Sequence, residues 1–151
     1  MLEVDHPADM KAHVGETVGT SEWVLLDQQM INAFADATGD HQWIHVDTER
    51  AKAEMPGGKT IAHGFLTLSL LPRLWTSVYR VRKASREINY GTNKVRFTAP
   101  VPVGSRVRLH QALKAAEDVK GGVRLTFEST MELEGSDKPA LVAEALVVAF
   151  D

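Results

Sequence analysis

From residue 86 onward apolar positions recur every second residue. Val123, Leu125, Phe127, Met131 and Leu133 alternate with Arg124, Thr126, Glu128, Thr130 and Glu132. That period predicts a half-buried antiparallel strand. "SRVRLHQAL" alternates in the same way, with Val107 and Leu109 on one face. "LVAEALVVAF" is more continuously apolar and reads as a mid-sheet strand, and "REINYGTNKVRFTAPV" as a further one with a bulge at Gly91. The first half of the chain is patterned differently. "TVGTSEWVLLD" predicts a strand, after which Asp27 stands where a helix N-cap would. Met30, Ile31, Phe34, Ala35 and Thr38 follow at helical spacing, and Gly39 suits the left-handed position that ends a helix. A second short helix is expected from Asp47 or Thr48 through Arg50, Ala51 and Ala53, then a loop at "MPGGKT". "HGFLTLSLLPRLWTSVY" is apolar around its whole circumference, which predicts a helix buried on all sides, with Pro72 able to kink it. Strand, helices, then a run of strands is an α+β plan, best met by a sheet wrapped around that one long apolar helix.

Length and composition narrow the picture. A chain of 151 residues, 44% hydrophobic and 25% charged, fits a single domain, residues 1–151, with a real core. The net charge of −3 gives no field aimed at nucleic acid or an anionic membrane. There is no cysteine, so disulfides, thiolate nucleophiles and cysteine-ligated zinc are excluded. No signal-peptide pattern and no membrane-length apolar run is present, so a cytoplasmic protein is expected.

The candidate chemistry sits in "ATGDHQWIHVD". Asp40 follows the helix-ending glycine and so stands on a bend, while His45 precedes the next helix. A hairpin-like connection would bring the two side chains to one point, where a carboxylate and an imidazole sharing a water form a general acid/base pair. Asp40 could equally cap a turn and His45 be a satisfied half-buried histidine. "IAHGFL" adds a second feature. Gly64 lies where a loop meets the apolar helix, and the first N–H groups of a helix have no partner within it. A glycine there lets a carbonyl oxygen approach the backbone as it gains negative charge. Nothing in the sequence gives His63 a partner, and it reads as structural.

An acid/base pair, a loop and a candidate oxyanion site, in that order, resemble the MaoC-like family of hotdog-fold proteins, the (R)-specific enoyl-CoA hydratases and related dehydratases. The family's usual signature runs Gly-Asp, any residue, Asn-Pro, an aliphatic residue, His, then a small residue. Gly39, Asp40, Ile44, His45 and Ala51 match it, and "GGKTIAHGFLTLSLL" and "NKVRFTAPVPVGSRVR" look like two further hallmarks. Gln42 and Trp43 depart from the usual Asn-Pro, which changes the expected pocket shape more than the chemistry. The resemblance implies a hotdog, a curved antiparallel sheet around the helix near residues 64–79, usually paired into a homodimer. It implies a trans-2-enoyl thioester of coenzyme A or of acyl carrier protein as substrate, with coenzyme A entering as part of that substrate. Asp40 and His45 would add water to give an (R)-3-hydroxyacyl thioester. The Gly64 N–H would bind the thioester oxygen and the Gln42 amide could hydrogen-bond substrate, with no metal or redox cofactor.

Other features carry weaker readings. Arg80, Arg82, Lys83 and Arg86 form a basic run that could meet coenzyme A phosphates but reads first as a solvated connection. Asp40, His45 and His63 match no standard zinc spacing. Ser69 and Ser77 lack the elbow motif of a serine hydrolase. A thioesterase on the same fold and a non-catalytic acyl-thioester-binding subunit are the rival functions.

Overall fold

The computed structural model describes residues 1–151. In chain order the strands and helices are β1 (Leu2–Val4), β2 (Thr17–Thr20), β3 (Val24–Leu26), α1 (Gln28–Thr38), α2 (Trp43–Val46), α3 (Thr48–Glu54), α4 (Gly64–Ser69), α5 (Leu71–Trp75), β4 (Tyr79–Val81), β5 (Arg86–Phe97), β6 (Ser105–Val119), β7 (Gly122–Leu133) and β8 (Leu141–Phe150). The main sheet has six strands in the order β2-β6-β7-β8-β5, with β3 also paired to β6, all antiparallel. Register shifts interrupt β6 at Leu113/Ala115 and β5 at Asn89/Gly91, the second at the glycine expected to bulge. Bulges bend strands and steepen their twist. The result is the curved antiparallel sheet packed on helices that the periodicity and the family resemblance both called for.

Thirty buried residues form one hydrophobic cluster. Leu109, Leu113, Leu125, Phe127, Met131 and Leu141 from the sheet are fully buried, and Leu66, Leu70, Leu71, Leu74 and Trp75 pack on them from the helices. β8 is buried on both faces, as its continuous apolar run required: Val147 is core, and Leu146 and Val148 are buried on the other face.

Three expectations change in detail. The apolar helix is two segments broken at Leu70. Pro72 has no N–H to donate to the Leu68 carbonyl, and its ring crowds that carbonyl. That rod is also open on one side: Phe65 is 66% exposed, beside Phe97 of β5 at a ring-centroid distance of 5.7 Å. The strand read in "TVGTSEWVLLD" is two short strands, each paired to a different stretch of β6. The N-terminal residues also fold. β1 pairs in parallel with β4, and a 3-10 turn at Pro7–His13 sends Met10, fully buried, into the core.

β5 is the exception in the sheet. One of its edges pairs with β8 and the other has no strand beside it, and its residues are exposed along nearly their whole length. Ile88, Tyr90 and Phe97 stand among the exposed large apolar side chains.

Candidate active site

The site begins where α1 ends. Asp27 caps that helix by accepting the Met30 N–H at 2.9 Å, and Gly39 closes it with φ at 78° while donating to the Ala35 carbonyl. Both devices are those the sequence indicated. Asp40 is the first residue beyond the turn. Its carboxylate is half exposed, with a long contact of 3.4 Å from the Gln42 N–H.

His45 does not lie in an open connection. It sits in α2, a single helical turn absent from the sequence reading, and is 7% exposed. Its Nδ1 stands 2.7 Å from the Ile61 carbonyl oxygen. A carbonyl only accepts, so Nδ1 carries the hydrogen, and in the neutral ring Nε2 is left as the basic nitrogen. The Ile61 N–H in turn donates to the Ile44 carbonyl at 3.0 Å, so α2 and the segment before α4 are laced together. Gln28 ties the same two pieces to α1. Its amide donates to the His45 carbonyl at 2.7 Å, and its oxygen accepts from the buried Thr60 hydroxyl at 2.6 Å. Nothing in the sequence pattern singled out Gln28.

His63 proves to be part of the site. It is 3% exposed and stacks on His45, with ring centroids 3.8 Å apart and planes 24° from parallel. Its Nε2 donates to the Asp40 carbonyl at 2.9 Å and lies 4.0 Å from the Asp40 carboxylate. One donor or acceptor atom from each of Asp40, His45 and His63 falls within 4.8 Å of the other two. The expected meeting of Asp40 and His45 therefore occurs, with a third residue between the elements that carry them. Such a trio invites the question of a metal. Tetrahedral zinc would hold adjacent ligand atoms roughly 3.4 Å apart with their lone pairs converging. The lone pairs of stacked rings lie in two nearly parallel planes, a poor match to ligands converging on one ion, and one nitrogen of each ring already faces a carbonyl. The arrangement suits acid/base work better than metal binding.

Gly64 opens α4, and its N–H has no acceptor in the protein. It shares a cavity of about 250 Å³ with His45, Thr67, Phe97, Ala99 and Val101. A Cβ built on Gly64 would lie 2.9 Å from the Phe97 ring, so the absence of a side chain is needed for this close approach. The Gln42 side chain is not brought to this cavity. It is exposed at the start of α2 and makes no hydrogen bond, while its backbone carbonyl accepts the His45 N–H. Trp43, where the family usually has Pro, lies under the Arg50 guanidinium at 4.0 Å and does not line the cavity.

The other candidates resolve structurally. Arg82 pairs with Glu3 at 2.6 Å and Asp5 at 3.5 Å, Lys83 pairs with Asp5, and Arg86 lies over the Phe150 ring. Much of the basic run thus pins the N-terminal strand. Ser69 donates to the Phe65 carbonyl within α4, and Ser77, just beyond α5, donates to the Leu74 carbonyl. No helix is long and apolar enough to cross a membrane.

A curved antiparallel sheet packed on a broken apolar helix is the architecture of a hotdog protein. The MaoC like domain family matches residues 9–132. The chain belongs to the MaoC-like dehydratase family. It is 60% identical to the 3-hydroxyacyl-thioester dehydratase Z of Mycobacterium tuberculosis over 148 residues, 97% of each chain. Two solved structures share the fold. The monoamine oxidase regulatory protein from Archaeoglobus fulgius has a TM-score of 0.78 at 21% identity, covering 100% of this chain and 99% of that one. The R-hydratase PhaJ1 from Pseudomonas aeruginosa has a TM-score of 0.70 at 23% identity, covering 91% and 82%.

Proposed function

We propose that this protein interconverts trans-2-enoyl thioesters and (R)-3-hydroxyacyl thioesters, with Asp40 and His45 as the acid/base pair and the Gly64 N–H as the oxyanion donor. The chain is an enzyme of the hydro-lyase class, in keeping with its family and its 60% identical dehydratase relative. The observation that carries the finer reading is convergence. His45, whose Nε2 is left basic, and Gly64, whose backbone N–H has no acceptor, line one small cavity, and the Asp40 carboxylate lies within 4.8 Å of a His45 ring nitrogen.

In the hydration direction a water held by the pair gives up a proton as its oxygen attacks C3. The C2–C3 π electrons move toward the thioester oxygen, where the Gly64 N–H meets the developing charge. The pair then returns a proton to C2 and ends as it began. Pairs of this kind contribute about 10²–10⁴ in rate, and an oxyanion donor about 10²–10³. The half-exposed carboxylate lets water reach the pair, while the buried His45 is held from behind. The Gln42 amide would meet substrate only from its solvent side. The carrier is coenzyme A or acyl carrier protein, and no metal or redox group takes part in these steps. The working unit is a homodimer: the unpaired edge of β5 and its exposed Ile88, Tyr90 and Phe97 call for a covering partner, and a second copy presents the same edge.

The test is turnover of crotonyl-CoA and trans-2-octenoyl-CoA, with chiral analysis of the product. Loss of enoyl absorbance with formation of the (R)-3-hydroxyacyl thioester is expected. Release of free thiol would instead indicate a thioesterase. Binding without turnover would indicate an acyl-binding subunit.

A further inference from the structure

We propose that His63 is a positioning residue that sets Asp40 and His45 in one geometry, an inference that rests on the acid/base reading of that pair. His45 is held at one edge by the single bond from its Nδ1 to the Ile61 carbonyl. One hydrogen bond leaves a ring free to rock about the bond axis. The His63 ring, 3.8 Å away and nearly parallel, lies flat against that free motion and so fixes where the His45 Nε2 lone pair points. Asp40 has the matching problem. It follows a left-handed Gly39, beyond the last helical hydrogen bond, and its carboxylate has only long contacts, 3.4 Å from the Gln42 N–H and 4.0 Å from the His63 Nε2. The His63 Nε2–H fixes its peptide through the carbonyl at 2.9 Å. One side chain therefore holds one member of the pair by its face and the other by its edge. Phe34 backs it from α1, with ring centroids 4.9 Å apart.

A purely space-filling role does not account for this residue. The His63 Nδ1 is buried without a hydrogen-bond partner, a cost that an apolar filler would avoid. His63 needs both features at once, a flat face and a donor at the far end of the ring. Its Nε2–H is taken up by the Asp40 carbonyl and its Nδ1 is buried, so it acts through the pair rather than on the substrate.

The two features separate by substitution. His63→Gln keeps a donor near the Nε2 position and loses the face, and His63→Phe keeps the face and loses the donor. In steady-state hydration of crotonyl-CoA each should lower kcat about 10–100-fold with little change in KM, because small misplacement of reacting groups costs rate rather than binding. Adding His63→Phe to an Asp40→Asn background should cost little more, since groups that work as a unit lose activity non-additively. Wild-type kcat in the folded His63 variants, or an equal further loss in the Asp40→Asn background, would overturn the inference. If Asp40→Asn and His45→Gln themselves leave hydration intact, the pair is wrong; if they abolish it while both His63 variants turn over normally, only the role of His63 falls. Each variant is read on folded protein, so either decides. Should both fail to fold, Phe34→Leu loosens His63 from behind and should give a smaller kcat-only loss, and unchanged kcat there would refute the role.

Discussion

Gly64→Val should lower turnover far more than stability. The added Cβ alone would stand 2.9–3.0 Å from three carbons of the Phe97 ring. Carbon atoms rest about 3.5–4.0 Å apart, so the overlap is at least about half an ångström. Either α4 shifts or Phe97 swings away. Phe97 is 45% exposed on the edge strand, whereas α4 is packed into the core through Leu66 and Thr67, so the ring moves. What is lost in the fold is its edge-on contact with Phe65, a kind of pair worth about 0.5–1.5 kcal/mol. For a chain of this length that lowers Tm by about 2–5 °C. The loss in catalysis is larger. Two methyl groups and a displaced ring now compete with the thioester for a cavity of about 250 Å³ beside the Gly64 N–H. Forfeiting one oxyanion donor costs about 10²–10³ in kcat. The assay pairs a melting curve with steady-state hydration of crotonyl-CoA. Normal kcat with a lowered Tm would refute the reasoning and leave Gly64 as a packing glycine beneath Phe97.

Three further outcomes are expected. Asp27→Ala removes the cap on the Met30 N–H and should cost about 0.5–2 kcal/mol in denaturant unfolding without altering KM, and an unchanged midpoint would contradict the capping role. Although Glu87 is exposed as a residue on β5, desolvation of its carboxyl beside the buried Tyr79 holds it above its ordinary range, opposed by the hydrogen bond it accepts from the Tyr79 hydroxyl. A raised carboxyl pKa means the folded state binds its proton more tightly, so this group's contribution to stability is present at low pH and declines as pH rises through the carboxylate range. Glu87→Gln should therefore gain in Tm relative to the parent as pH is raised from about 4 to 7, and a gain that shrinks over that range would contradict the sign. In light scattering the protein should show twice the 16.6 kDa mass of one chain, and a single-chain mass across a wide concentration range would remove β5 as a dimer edge.

Local chemistry was legible in the sequence, and contacts between distant segments were not. Asp27 and Gly39 mark the ends of α1 because a cap and a left-handed residue act on their own neighbours. The alternation in β6 and β7 was equally plain, since a sheet with one buried face writes its period into the chain. Within that period Ser129 sits on the core face, where its hydroxyl accepts from the buried Gln111 amide at 3.3 Å. The break at Leu70 was signalled by Pro72, but the exposure of Phe65 was not, because the pattern cannot show which side of a helix the sheet leaves open. At the site, Asp40, His45 and Gly64 could be named from residue type, spacing and family likeness. His63 could not be assigned, because both of its partners come from tertiary folding. The stack on His45 requires the Ile44–Ile61 bond to bring α2 beside the segment before α4, and the bond to Asp40 spans 23 residues. Gln28 and Phe97 were missed for the same reason. The α2 turn was hidden because Trp43 stands where proline would have announced a helix start.

The central claim is that Asp40 and His45 work as one unit, and a double-mutant cycle tests it most directly. Asp40→Asn, His45→Gln and the double variant are compared in single-turnover hydration of a trans-2-enoyl-CoA, with melting curves alongside. Each single change should nearly abolish hydration, and the double should be little worse than either. Asp40→Asn should melt close to the parent, since the half-exposed carboxylate makes only long contacts, whereas His45→Gln should melt lower because it gives up a buried ring, its stack and its bond to Ile61. Full hydration in Asp40→Asn, or losses in the two single variants that simply multiply in the double, would contradict the account.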